Sequence, residues 1–388
     1  MGSRMRFEFA TANRIIFGPG TIAQAGTAAR EFGRKALVVT GRDSSRAKRL
    51  FDSLRGQEIE FVPFPIDREP DVDVIRLGLK LARSERCDMV IAMGGGSALD
   101  SGKAIAALLT NDGDIVDYLE VVGHGKLLTH PSAPFVAIPT TSGTGSEVTR
   151  NAVLALPDRR IKVSLRSPFM LARIALVDPE LTWDLPPDVT ARTGLDALTQ
   201  LIEPYVTPRA NAMTDCLCLE GIKRAARSLP TAVKHGTDAA AREDMAVASL
   251  FGGLALANAG LGAVHGLAGV IGGKFGAPHG AICGILLPRV MSANLAALRS
   301  RQPSHPSIAR FREIAQLLTG ENTAQAEDGV AWVQALLSDL KTPALGTYGL
   351  SEGNLRDTIE QSRNASSMKA NPILLTDEEL TFVVRNAL

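Results

Sequence analysis

Aromatic residues are scarce in this 388-residue chain, at 5% of the total. A stacking cage for a sugar or a quaternary cation is therefore not expected. Cysteine is scarcer still, with four residues (Cys87, Cys216, Cys218, Cys283) and no C-x-x-C spacing. That usage excludes a disulfide-stapled scaffold and fits reduced thiols in a cytoplasmic protein. Cys216 and Cys218 stand two residues apart, on different faces of a helix, so a metal clip between them is not expected. A dominant charge is also missing: 42 basic residues oppose 41 acidic ones, for a net charge of +1. Such a balance gives no bulk field toward nucleic acid or an anionic membrane, and neither partner is expected. No apolar run reads as a membrane span, and Met1–Met5 lacks the apolar core of a secretory signal. What is present is 45% hydrophobic and 21% charged residues, the composition of a globular protein with a large core and room for two domains.

The first half alternates strand and helix patterns. Strand candidates are Arg14 to Phe17, Lys35 to Thr40, Ile59 to Val62, Met89 to Met93 and Phe135 to Ile138. Helical spacing covers Thr21 to Phe32, Arg46 to Leu54 and Val72 to Ser84. The continuous apolar run Leu37-Val38-Val39 is of the kind buried in a parallel sheet. This rhythm predicts a doubly wound α/β domain over residues 1–186. Ile161 to Ser164 and Ile174 to Val177 add two further strands. Beyond Pro186-Pro187 the apolar residues recur at helical spacing and strand signals fade. Residues 187–388 are expected to form an all-helical domain, with helices near Leu195–Tyr205, Ala212–Ser228, Arg242–Ala259, Val264–Gly273, Ala281–Leu295 and Ile308–Leu318.

Two loops in the first half suit a nucleotide. Gly94-Gly95-Gly96-Ser97 leaves one strand and enters the helix that begins near Ala98. Glycines there let backbone N–H groups face outward, and the helix start adds partial positive charge, which together grip a pyrophosphate. Pro139-Thr140-Thr141-Ser142-Gly143-Thr144-Gly145-Ser146-Glu147 follows the next strand with a run of hydroxyls. The first loop is not a G-x-G-x-x-G fingerprint, and alone it reads equally as a tight turn.

In the second half, polar residues stand in apolar helical surroundings. Asp196 and Gln200 are four apart and share a helix face. His265 and His279 are each flanked by glycine. A single histidine in an apolar helix is more often a hydrogen-bonded core residue than a ligand. A buried aspartate, however, needs a cationic partner. One carboxylate with two imidazoles is a three-ligand set with a position left open, suited to zinc or to iron(II).

These segments resemble the iron-containing (group III) alcohol dehydrogenases, within the wider fold group of glycerol dehydrogenase and dehydroquinate synthase. The resemblance runs from Ile16-Phe17-Gly18-Pro19-Gly20 to Asn371-Pro372 and includes Gly194-Leu195-Asp196-Ala197. It implies a Rossmann-like parallel sheet followed by an all-α domain, a homodimer, and an active site in the interdomain cleft. The activity implied is an NAD(P)-dependent oxidation of a small alcohol, or reduction of an aldehyde. Carried over by resemblance, Gly95, Gly96 and Ser97 hold the pyrophosphate, with Asp100 counted among the cofactor residues. Thr140, Thr141 and Thr144 line the nucleotide channel, and Lys162 reaches the nicotinamide ribose. Asp196, His265 and His279 ligate one divalent metal, Fe2+ or Zn2+, and carry the catalysis, with Gln200 counted at the fourth metal position. Two departures stand out. Many members have His where this chain has Gln200, a weak neutral oxygen donor, and some have His at Gly269.

Gly41 ends the strand Leu37–Thr40 where NAD-selective members often carry Asp. Its absence removes a repulsion on the order of 4 kcal/mol against a 2′-phosphate. Arg42, Ser44, Ser45 and Arg46 supply donors, so NADP is expected to be accepted alongside NAD. The substrate wall is expected at Asn151, Leu256 and Met368. Two other chemistries suit the same fold. One is a metal-independent, maleylacetate-type oxo-acid reductase. The other is a dehydroquinate synthase-like lyase recruiting Arg150, Arg159, Arg160 and Arg166.

Overall fold

A computed structural model describes residues 6–120, 122–159 and 161–388; the expectations placed on Met1–Met5 and Arg160 lie outside it. The chain divides into two compact units. One comprises Ala12–Thr193 with Thr231–Ala246, and the other comprises the described residues up to Thr11, Gly194–Pro230 and Val247–Leu388.

The first unit is built on a six-stranded sheet. Its strands are β1 (Arg14–Phe17), β2 (Lys35–Thr40), β3 (Glu60–Pro65), β4 (Met89–Gly94), β5 (Phe135–Pro139) and β8 (Ile174–Val177), ordered β1-β8-β5-β4-β2-β3. Every pairing in it is parallel. The central strands are buried on both faces, as their unbroken apolar runs require. Ala36, Val38, Met89, Ile91, Val136 and Ile138 alternate onto one face, where Leu50 and Leu54 of α2 (Lys48–Arg55) and Ala25, Ala28 and Ala29 of α1 (Ala25–Arg30) cover them. Opposite lies α4 (Gly96–Leu109), where a Cβ on Gly102 would stand 2.7 Å from that of Ala92. Beside α4 lies α3 (Val72–Ser84), packed at Gly78 against Ile105 of α4 and Phe64 of β3, so the sheet is wound on both sides. β3 runs on through Pro63 and Pro65, beyond its predicted end, because an edge strand tolerates residues that donate nothing to a ladder.

The remaining strands, β6 (Asn151–Leu156) and β7 (Ile161–Arg166), correct one expectation. The strand predicted over Ile161 to Ser164 pairs antiparallel with Asn151–Leu156 in a separate hairpin and stays out of the main sheet.

The helical unit takes its elements from α5 (Pro187–Val206), α6 (Ala212–Lys234), α7 (Ala239–Ala259), α8 (Ala263–Phe275), α9 (His279–Arg301), α10 (Ser307–Thr319), α11 (Ala326–Asp339), α12 (Leu355–Ser362) and α13 (Asp377–Arg385). α9 is longer than its predicted core, and it corrects the reading that no segment is long and apolar enough to cross a membrane. Its most apolar stretch is 83% buried, so it serves as the core helix of its unit. Close packing onto α5 depends on Gly284, where a Cβ would lie 2.7 Å from Leu195 Cδ1. That approach matters because Cys283 and Asp196 are the chain neighbours of those two residues.

Candidate active site

Three helices of the helical unit deliver a cluster of metal-type donors. Asp196 comes from α5, His265 from the first turn of α8, and His279 and Cys283 from the first turns of α9. One donor atom from each lies within 4.8 Å of all the others. Asp196 Oδ1 is 3.4 Å from His265 Nε2 and 3.7 Å from His279 Nε2. Cys283 Sγ is 3.8 Å and 3.6 Å from the same two nitrogens. Asp196 Oδ1 is buried with no hydrogen-bond partner, and the four donor atoms converge on one point. Gln200, one turn after Asp196, is also buried with Oε1 unpartnered. An orphaned buried acceptor is costly, and a cation bound at the cluster would remove the cost at Asp196. The residues present therefore fit a metal ion.

The anions of the cluster draw positive charge, which protons supply when no cation is bound. Burial alone would raise the Asp196 carboxyl, but the imidazoles of His279 and His265 outweigh it and hold the group below its ordinary value. Burial opposes charge on His265 and His279 too, yet Cys283 and Asp196 raise both, with Glu203 adding to the effect on His265. His279 is the open side of the group, at 39% side-chain exposure against 7% for His265 and 3% for Asp196.

The orientation of His265 is set from outside the cluster. Glu203, buried on α5, accepts a hydrogen bond from His265 Nδ1–H across 2.6 Å. Its other oxygen accepts from Val264 N at 2.7 Å, capping α8 from a neighbouring helix, while Asn371 Oδ1 accepts from Ala263 N at 3.1 Å. This arrangement leaves the Nε2 lone pair of His265 for the shared point, the usual support behind a ligating imidazole.

The α/β unit gathers the nucleotide-type residues at the carboxyl ends of adjacent strands. β2 neighbours β3 on one side and β4 on the other, so the chain reverses its direction of travel between β2 and β4. Open α/β sheets bind ligands at such a point. Gly41 follows β2, Gly94–Ser97 follow β4, and Thr140–Thr144 follow β5. The two loops touch: a Cβ on Gly96 would stand 2.8 Å from Thr144 Cγ2, and one on Gly95 3.3 Å from Thr141 Cγ2. No side chain caps α4, so its first N–H groups face outward as donors.

The helical domain and the parallel sheet are each recognised along their length. The model of the iron-containing alcohol dehydrogenase matches residues 12–179, and the C-terminal model of the Fe-containing alcohol dehydrogenase family matches residues 190–388. The chain belongs to the iron-containing alcohol dehydrogenase family. It is an alcohol dehydrogenase. The 1,3-propanediol dehydrogenase of Klebsiella pneumoniae is 35% identical over 400 residues, covering 100% of each chain. The NAD-dependent methanol dehydrogenase of Bacillus methanolicus is 31% identical over 385 residues, covering 96% of this chain and 97% of its own. A crystal structure of 1,3-propanediol oxidoreductase superimposes with a TM-score of 0.92 at 34% identity, covering 99% of this chain and 100% of that one.

The other candidates have partners or neighbours of their own within the fold. Asp100 is committed to scaffolding: Oδ1 accepts from Ser146 Oγ at 2.5 Å and Oδ2 from Val153 N at 2.9 Å. Beside it Lys103 is fully buried and donates to Ser146 O, Ser146 Oγ, Thr149 Oγ1 and Asn151 O at 2.7–2.9 Å. Burial lowers the Lys103 ammonium to about 8 and raises the nearby Glu147 carboxyl to about 7. Lys162 lies on β7 and is paired with Glu69 at 2.7 Å. Asn151 opens β6, Leu256 is half-buried on α7, and Met368 is buried against Gly266, the residue after His265. Cys283 and Glu203 went unrecognised in the sequence reading. Their signal was spacing: Cys283 is one turn from His279, and Glu203 continues the Asp196–Gln200 stripe.

Proposed function

We propose that this alcohol dehydrogenase interconverts a small primary alcohol and its aldehyde, with NAD or NADP as hydride carrier and one divalent metal as Lewis acid. The observation that carries the metal dependence is the convergence of Asp196, His265 and His279 around orphaned acceptors. When bound, the nicotinamide exchanges hydride with the substrate carbon and the cation polarises the substrate oxygen.

The chain's own residues do the rest. Asp196 supplies the anionic oxygen. His265 supplies Nε2 in a tautomer fixed by Glu203. His279 supplies a second nitrogen and, as the exposed member, the side on which substrate enters and the alcohol proton reaches water. Gly95, Gly96 and Ser97 hold the pyrophosphate on the N–H groups that open α4, and Thr140, Thr141 and Thr144 line the nucleotide. Asp100 acts behind that surface by fixing the second loop through Ser146. Lys162, bound to Glu69, reaches the ribose by exchanging that partner. Residues 1–186 form the nucleotide half and 187–388 the metal half, with Asn151, Leu256 and Met368 as substrate wall and a homodimer as the assembly.

For the dinucleotide, a Cβ at Gly41 would meet nothing within 4 Å, so the end of β2 has room for a ribose 2′-phosphate. Arg42 and Arg46 are exposed beside it. Asp43 tempers the attraction: its carboxylate accepts from Ser45 N and Ser45 Oγ at 3.0 and 2.6 Å, and those bonds hold it charged below its ordinary value. We read the turn as accepting both dinucleotides. Steady-state assays with NAD and NADP on 1,3-propanediol, methanol and longer 1-alcohols test the reading. Turnover of at least one alcohol with both cofactors supports it, and no turnover of any alcohol with either one contradicts it.

A further inference from the structure

The donor cluster contains one group more than the carboxylate and two imidazoles need. Cys283 is buried on α9 one turn after His279, so both side chains leave the same helix face. Its sulfur stands 3.6 Å and 3.8 Å from the two imidazole Nε2 atoms, and Asp196 Oδ1 stands 3.7 Å and 3.4 Å from the same pair. Ligands on a tetrahedral zinc-type ion, with bonds of about 2.0–2.3 Å, lie about 3.3–3.8 Å apart. Four edges of the donor figure therefore have the length of a tetrahedron's edges before any ion is considered. Gln200, the other polar candidate, offers a neutral amide oxygen. A thiolate carries charge and is the better donor for a borderline-soft cation.

We propose that Cys283 is a metal ligand: its thiolate completes an oxygen, two-nitrogen, sulfur set with Asp196, His265 and His279, and this set favours a zinc-like ion over iron. The inference rests on the metal-dependent reading above. Binding releases the thiol proton to solvent and forms the metal–sulfur bond, with no change of oxidation state. A fifth position stays available to substrate oxygen, since zinc sites expand to five-coordinate.

The test uses the full chain, stripped of metal and titrated with cobalt(II) chloride. The proposal expects tetrahedral visible bands together with an intense near-ultraviolet thiolate-to-cobalt band. It also expects Cys283→Ser to lose that near-ultraviolet band and to bind cobalt on the order of tenfold more weakly or worse, since even outer-shell losses cost about 10–100-fold. X-ray absorption of the zinc-loaded wild-type protein reads the same point without a variant: one sulfur scatterer at about 2.3 Å supports it. Cobalt bound with nitrogen and oxygen neighbours only, or a near-ultraviolet band that survives Cys283→Ser, overturns the role of Cys283 and leaves a metal at the other three residues. Protein that takes up neither cobalt nor zinc overturns the metal reading along with this one.

Discussion

Single residues carry the chemistry, and their contributions can be separated. Asp196 is the one anion of the proposed ligand set apart from Cys283, and its Oδ1 has no protein hydrogen-bond partner. Replacing it by alanine is expected to lower kcat/KM by at least about a hundredfold, since a Lewis acid contributes several kcal/mol to such a reaction. Metal content measured on the same preparation should fall in parallel, and full metal with full activity would remove Asp196 from the site. Glu203 acts one step further out. Glu203→Gln keeps the side chain's volume but faces an amide NH2 toward either Val264 N–H or His265 Nδ1–H. Metal affinity should drop about 10–100-fold, as for other groups that orient ligating histidines. Competition with a chromophoric chelator measures this, and an unchanged Kd would reduce Glu203 to a helix cap. Asp196, His265 and His279 were legible in the sequence because a charged or titratable residue among leucines and glycines stands out. Cys283 and Glu203 were not. A cysteine in an apolar helix reads as packing, and the glutamate's partner lies 62 positions away on another helix.

At the scale of elements, two loops are in close contact at the ends of β4 and β5, and that contact is expected to set nucleotide affinity. Any side chain at Gly96 must displace Thr144, because even a Cβ comes within 2.8 Å of its methyl group. Overpacking of this kind costs about 1–3 kcal/mol. Gly96→Ala is expected to weaken NADH binding about tenfold or more in a fluorescence titration while the metal content stays unchanged. Equal binding would mean the turn does not hold the pyrophosphate. Behind the loops, Lys103 ties α4 to the Ser146–Asn151 segment through four acceptors. Its ammonium is held near 8 in the fold by burial against 10.5 ordinarily. Between those values the unfolded chain binds more protons than the folded one, so stability rises with pH there. Relative to Lys103→Met, the wild-type unfolding free energy should gain about 2 kcal/mol from pH 8 to pH 10. Urea unfolding at both pH values measures the difference, and a constant gap would contradict the burial argument. The strands were legible at this scale because a sheet covered on both faces needs continuous apolar runs, as at Val90-Ile91-Ala92. The hairpin β6–β7 was not, because Ile161-Lys162-Val163 has the same local pattern whichever sheet it joins. The start of α8 lies one residue before its predicted position because Glu203 and Asn371 cap it from other segments of the chain.

For the whole molecule, two kinds of site are built by two kinds of architecture. The parallel sheet collects backbone donors and hydroxyls at its strand ends, which suits a large anionic cofactor. The helical unit gathers a mid-helix carboxylate and imidazoles from two helix starts, where glycine at 284 lets α5 and α9 approach. Matches over residues 12–179 and 190–388 to one family join the two halves in a single dehydrogenase. The central claim is that this chain's turnover depends on a metal at Asp196, His265 and His279. Elemental analysis of the purified protein, with NADPH and NADH oxidation assayed on an aldehyde before and after chelation, tests it most directly. The account predicts about one zinc or iron per chain, activity lost on chelation, and activity restored by that metal. Metal-free protein that reduces the aldehyde at an undiminished rate would contradict it.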